Sequence, residues 1–483
     1  MLQTRAVGPL DKRRKVTRCL GCAKRHIKCE GGFPCAYCIQ KDTMCVPQQE
    51  TGYGMTVFVH QTQRDNFRGA HRNSDWKSMA ITNKQNTGVC LMNFIRRDQD
   101  TCFLDCFVSF IQQNMFTMNF PSLLPDLLPL IPKSPVLYHA VMAIGALDAN
   151  RHSPGRVPHG GRTPRVDAIS SYHTSLVSLQ SCLGQENVMR KDDVLWATFF
   201  LGLFELLSDD SGEGWVKHML YGTSKMLQLA GPSNCMSSLR RAFYDLFRVL
   251  EASRALLYNE ETILSKECWL RLHKKSLCSR ITTQWEPMEE ILTLMIQTSA
   301  FSFRARAIVE KIPELERCTN PPVAWLGAEG LKIQETIYNW HTEALLQLFQ
   351  DGPNTFLDLA LLYYHALLIF LSGNYDYFPY WDKIPAPVLS PAEVFDHLIA
   401  ILELSDQVLF QSKIPGVVLF FPLTVAGSRA RHVDQRSKIL SLLDQVFRNG
   451  FVVANRVREG LLERWAERDR RIKHPVMGSN YYV

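Results

Sequence analysis

Apolar positions recur at helical spacing from about Asp100 onward and almost nowhere in the first hundred residues. Runs such as Phe103 to Ile111, and Val136 to Leu147 entered through Pro135, carry a period of about 3.6 residues. The same period predicts helices over 166–182, 193–207, 214–229, 237–257, 288–310, 328–349, 356–371, 392–411 and 434–465. Strand-type alternation is almost absent, and Met55 to Val59 is the one short strand-like run. Val194 to Leu207 is apolar nearly all round, which places it in the middle of a multi-helix body. Phe356 to Leu371 is the longest apolar run. Asp358 and His365 interrupt it, and it falls short of the ~20 apolar residues of a membrane span, so it is predicted to be a buried helix, with no membrane partner.

The pattern predicts a mainly α chain in five parts. A basic arm occupies 1–18, a small cysteine module 19–47, a polar linker 48–99, a large all-α multi-helix domain 100–466 and a short tail 467–483. The linker holds Gly52, Gly54 and several Gln and Asn without the sustained heptads of a coiled coil. One insertion interrupts the helical part. Arg151 to Arg165 carries three Pro, three Gly and four Arg with no acid, which reads as a loop between helices, with a second DNA contact as the weaker alternative.

Composition changes this picture only where it is uneven. With 483 residues, 46% hydrophobic and 21% charged, the chain has room for a large core and an ordinary globular balance. Residues 1–50, however, hold ten Lys or Arg against four Asp or Glu, so +6 of the net +7 lies in the first tenth of the chain. A basic focus on an otherwise neutral chain points to a polyanion-binding module. Six of the fourteen cysteines crowd the same stretch, and the other eight, from Cys90 through Cys318, are scattered. With no apolar signal core in the opening Met-Leu-Gln-Thr-Arg, the expectation is a reducing, intracellular compartment.

The six cysteines stand as Cys19-x2-Cys22-x6-Cys29-x5-Cys35-x2-Cys38-x6-Cys45, and the second three repeat the first three at an offset of sixteen. A CxxC pair presents two sulfurs to one tetrahedral ion, and a third cysteine returns to it after a short helix. Each half is then one ligand short. Two zinc ions need eight ligand places, and six thiolates supply them if two bridge. The symmetric choice makes Cys19 and Cys35 the bridges, with Cys22 and Cys29 completing one ion and Cys38 and Cys45 the other. No coordination place is left for water, so the pair of Zn2+ is structural and not catalytic.

In these cysteines the chain resembles the fungal Zn(2)-C6 binuclear-cluster transcription factors, whose pattern is a C-x2-C-x6-C half, a short loop and a second such half. Pro34 also matches the family's loop proline. Phe103 to Phe110, His139 to Leu147, Trp215-x2-His218-x3-Gly222 and Phe421 to Gly427 are similar to the family's helical regulatory domain. The resemblance implies a nuclear, sequence-specific regulator of RNA polymerase II genes, with double-stranded DNA as partner. A short basic helix would enter the major groove at a GC-rich triplet. Control of a metabolic or secondary-metabolite pathway is implied at family level only.

The residues available for DNA are Lys12, Arg13, Arg14, Lys15 and Arg18 in the arm, and Lys24, Arg25, His26 and Lys28 between the second and third cysteines. Arg25 and Lys28 keep the family pattern. Ala23 stands where Arg is common and His26 where the triplet-reading Lys is expected, which leaves the triplet open. Lys12 to Lys15 also has the form of a nuclear-import run. Further partners are co-regulators and, with no coiled coil after the cluster, either none or a second copy through the helical body. Phosphate-loop, dinucleotide, HExxH and GxSxG patterns are absent, so the chain is read as no enzyme; the alternative is a helical enzyme or scaffold with an accessory zinc module. Trp215, His218 and Gly222 read as core packing. Cys102 and Cys106, four apart, read as buried apolar residues and not as ligands.

Overall fold

The computed structural model describes residues 89–152, 163–184, 187–234, 237–271 and 286–473. The cysteine module, the basic arm, the strand-like run at Met55 and most of the insertion after Arg151 lie outside these residues.

Helices carry the described chain, and no strand occurs among the described residues. In chain order they are α1 (Val89–Gln113), α2 (Leu124–Leu127), α3 (Pro135–His152), α4 (Pro164–Leu183), α5 (Asp192–Ser208), α6 (Glu213–Lys217), α7 (Ser224–Ala230) and α8 (Ser238–Tyr258). They continue as α9 (Pro287–Val309), α10 (Pro321–Asp351), α11 (Thr355–Ser372), α12 (Pro391–Gln411), α13 (Phe420–Arg429), α14 (Val433–Arg448) and α15 (Ala454–Lys473). Their starts follow local chemistry. Pro164 opens α4 behind the Thr163 cap, and Asn354 accepts from the Phe356 amide at 2.9 Å to open α11. At α12, Ser390 and Glu393 form a reciprocal capping box ahead of Pro391.

Four boundaries described here differ from the sequence reading. Helix α1 reaches back to Val89, into the stretch read as linker, and α10 begins at Pro321, where Asn320 and two prolines mark a helix start that the apolar period alone does not register. The single helix expected over 434–465 is two. It breaks at Asn449-Gly450, where Gly450 takes φ +103°. The Gly450 amide donates to the Phe447 carbonyl at 2.9 Å and the Phe451 amide to the Val446 carbonyl at 3.3 Å, a Schellman ending. The second of these helices then runs past position 466 to Lys473.

Helix α3 packs against α1, α4 and α5. Its contact with α1 is backbone against backbone. A Cβ on Gly145 would lie 1.9 Å from the Phe103 carbonyl oxygen, so only glycine permits this approach. Helix α5 is buried from Val194 to Leu207 except at Glu205, as its all-round apolar character predicts. Its Trp196 and Phe200 meet Phe243 of α8 and Phe107 of α1 edge-on, at 5.1 Å each. Helix α11 packs on α9, α10, α12 and α13, and 83% of it is buried, as expected for the run from Phe356 to Leu371.

Helix α8 carries several charged side chains into the interior. Its Arg248 and Arg254 side chains are 1% and 2% exposed. Arg254 forms a fork on Glu251 at 2.7 and 2.9 Å and reaches Glu260 at 2.6 Å. Arg248 pairs with Glu289 and donates to the Glu289 carbonyl and Thr293 Oγ1 at 3.0 Å each, which ties α8 to α9. Each charge is matched by hydrogen bonds, the condition under which a protein interior holds ions.

Candidate metal centre and nucleic-acid interface

The sequence-predicted metal ligands Cys19, Cys22, Cys29, Cys35, Cys38 and Cys45 lie outside the described residues, and so do the cations Lys12, Arg13, Arg14, Lys15, Arg18, Lys24, Arg25 and Lys28 with His26. Their donor chemistry is read from the chain itself. Six thiols in 27 residues, in two halves of identical spacing, form a soft all-sulfur set suited to zinc.

Among the described residues no group of three His, Cys, Asp or Glu is arranged to hold an ion. Cys102 and Cys106 correct the sequence reading in one respect. Cys102 is exposed and Cys106 only half-buried, so neither is a core residue. Partial burial and the neighbouring Cys102 push the Cys106 thiol up to about 11, which keeps it protonated near neutral pH.

The Trp215, His218 and Gly222 motif is a packing site with a polar centre. It spans α6 and a π-turn over His218–Thr223. Trp215 packs against the core, and His218 Nδ1 lies 3.2 Å from Glu205 Oε1. Tyr172 of α4 donates to the same oxygen. Burial, then this hydrogen bond and the Glu205 charge, push the Tyr172 phenol up from its ordinary value. One carboxylate thus joins α4, α5 and the π-turn. The signal for Glu205 is present in the sequence as the single acid inside the Val194 to Leu207 run.

A second polar group follows the same rule. His365, the lone imidazole in the apolar run of α11, has its Nδ1 2.8 Å from His397 Nδ1 of α12, while His341 of α10 stacks on Tyr364 at 4.1 Å. Burial first, then His397 and His341, hold His365 down to about 3. Burial also lowers His341 and His397. The rings are therefore neutral at pH 7 and form a hydrogen-bonded, stacked seam between three helices.

Comparison with known proteins agrees with both parts of the chain. The pattern of the fungal Zn(2)-Cys(6) binuclear cluster domain matches residues 17–53, which hold all six cysteines of the repeat, and that of the fungal specific transcription factor domain matches residues 103–475. An uncharacterized protein of Emericella nidulans is 27% identical over 121 residues. The match covers 25% of this chain and 26% of that protein, so the chain spans about a quarter of the relative's length. No solved structure matches. Both matched families are transcription-factor domains and neither is an enzyme family. With more than half of its length inside one of them, this chain belongs to the fungal specific transcription factor family and carries that family's binuclear cluster, in which six cysteines bind two zinc ions.

Proposed function

We propose that the chain is a nuclear, sequence-specific regulator of RNA polymerase II genes that reads DNA through Cys19 to Cys45. The reading is carried by one observation: the six-cysteine repeat coincides with the segment that holds +6 of the net +7 charge. Cys19 and Cys35 bridge the two zinc ions, Cys22 and Cys29 complete the first, and Cys38 and Cys45 the second. Lys12, Arg13, Arg14, Lys15 and Arg18 neutralise phosphates and set the module's position. Arg25, His26, Lys24 and Lys28 lie on the short helix that enters the major groove at a GC-rich triplet. An imidazole at His26 donates one hydrogen bond where the family's lysine brings a full charge, so the family's usual CGG does not carry over to this chain by resemblance alone. Lys12 to Lys15 also serve nuclear import. The helical body, on this reading, recruits co-regulators or a second copy and links DNA occupancy to a metabolic pathway.

A gel shift with the full chain on DNA selected from a random pool tests the assignment. Cys35→Ala abolishes binding, because both ions lose a bridging ligand and the module loses its fold. Arg25→Ala and His26→Ala weaken binding in a folded protein. Wild-type affinity in Cys35→Ala sinks the cluster assignment.

A further inference from the structure

The insertion between α3 and α4 leaves its two end arginines, Arg151 and Arg165, beside a cleft of about 370 Å³. Arg448, from the last turn of α14, lines the same cleft. Its floor is apolar: Phe110 and Leu207 are buried, and Leu147 and Val452 flank them. One carboxylate, Asp148, lines the cleft with the three arginines, and its guanidinium partner is Arg151.

The site is built in its deeper part. Asp148 is buried and holds Arg151 at 3.4 Å, and Arg151 also donates to the Asn449 carbonyl. Gly450 leaves room for that guanidinium, since a Cβ there would lie 2.4 Å from Arg151 Nη1, and its φ of +103° independently requires glycine. Burial raises the Asp148 carboxyl, and Arg151 and His152 oppose the rise. Arg165 and Arg448 are exposed and have no ion-pair partner among the described residues. A cation in the last turn of a helix is favoured by the carbonyl end, which accounts for Arg151 and Arg448 singly. It does not account for their convergence with Arg165 over an apolar floor.

We propose that this cleft binds a small amphipathic carboxylate, its apolar body on Phe110, Leu147 and Leu207 and its carboxylate between Arg165 and Arg448. The volume lies at the small end of the ~300–1,000 Å³ of ligand clefts, and an apolar lining with a few convergent polar groups is their usual make-up. Guanidinium forks match a carboxylate in shape and charge. A nucleic-acid backbone fits less well, because a concave apolar floor offers it nothing. That an occupied cleft acts as an effector input to DNA binding rests on the regulator reading above; the binding itself does not.

The test is titration calorimetry of the full-length, zinc-loaded chain with benzoate, 3-phenylpropionate, octanoate and decanoate, and with 3-phenylpropionamide as the neutral control. The expected result is saturable binding of at least one acid at one site per chain, with the amide weaker by about tenfold or more, as expected for a lost charge-assisted contact. Arg165→Gln and Arg448→Gln, both at exposed positions and checked for unchanged melting, each weaken the acid by about tenfold. Absence of saturable binding by all four acids overturns the proposal, as does binding that survives the double variant. A double variant that loses DNA affinity while no acid binds assigns the arginines to phosphate and also overturns it. Gel shifts on the same preparations keep the two readings apart, since the regulator reading fails only if Cys35→Ala still binds DNA.

Discussion

The cysteine module and the helical body hold themselves together in opposite ways. From Cys19 to Cys45 there are 27 residues with few large apolar side chains, too few to bury a core, and the folding free energy comes from metal–thiolate bonds. The body buries whole helices such as α5 and α11, and the charges of Arg248 and Arg254 sit inside it against Glu289 and Glu251. The difference is one of what a single residue controls. In the module one thiol carries a ligand place for an ion that orders everything around it, whereas in the body one side chain is one contact among many.

Removing the metal is therefore the largest separable perturbation. A strong zinc chelator is expected to abolish DNA binding completely while the far-ultraviolet dichroism of the body stays within a few percent of its starting value, because α1 to α15 contain no metal site among the described residues. Parallel gel shift and dichroism during the titration check this. Loss of most helical signal along with DNA binding would break the contrast.

The two regions also differ in how openly the chain declares them. Cysteine spacing is a direct chemical statement, so the zinc cluster is legible down to the number of ions, and the matched binuclear cluster domain agrees with it. Helices α3, α5, α9 and α11 are legible within a few residues because their apolar runs are long and proline or an acid marks their starts. The break at Asn449-Gly450 is written in the sequence but hidden by apolar positions that keep their period across it. The ties made by Glu205 and His365 are harder still. Each stands out as a polar residue in an apolar run, but its partners come from other helices, Tyr172 and His218 for one and His341 and His397 for the other. Long-range partners follow from packing, and no local spacing encodes them.

Within the body, the next effect in size belongs to α8. Glu251 is 1% exposed, and Glu251→Ala leaves the buried Arg254 with Glu260 alone, at the half-exposed end of its fork. Removing one partner of a buried pair costs about 3–5 kcal/mol, and the retained Glu260 contact places this variant at the lower end. Urea unfolding followed by dichroism measures it. An unchanged midpoint would mean that water, and not Glu251, satisfies Arg254. DNA binding by the module of a still-folded variant is expected to persist, which sharpens the separation between the regions.

The smallest effect is set by pH and resides in the body. His365 has a folded-state pKa of about 3 against 6.5 for an ordinary imidazole, caused by burial first and then by His397 and His341. The folded state therefore binds fewer protons than the unfolded chain between these values, and stability is full above about pH 6.5 and falls as pH drops toward 3. Lowering pH from 7.5 to 5 costs about 2 kcal/mol through this group alone. The groups facing it are His341 and His397, both themselves lowered, and Tyr364, so no carboxylate in direct contact offsets the loss. His365→Gln keeps a hydrogen-bonding side chain toward His397 without the titration. Its body should lose about 2 kcal/mol less than the parent over the same pH interval in urea unfolding. Parallel pH profiles for the two proteins would place the acid sensitivity of the body in groups other than this seam.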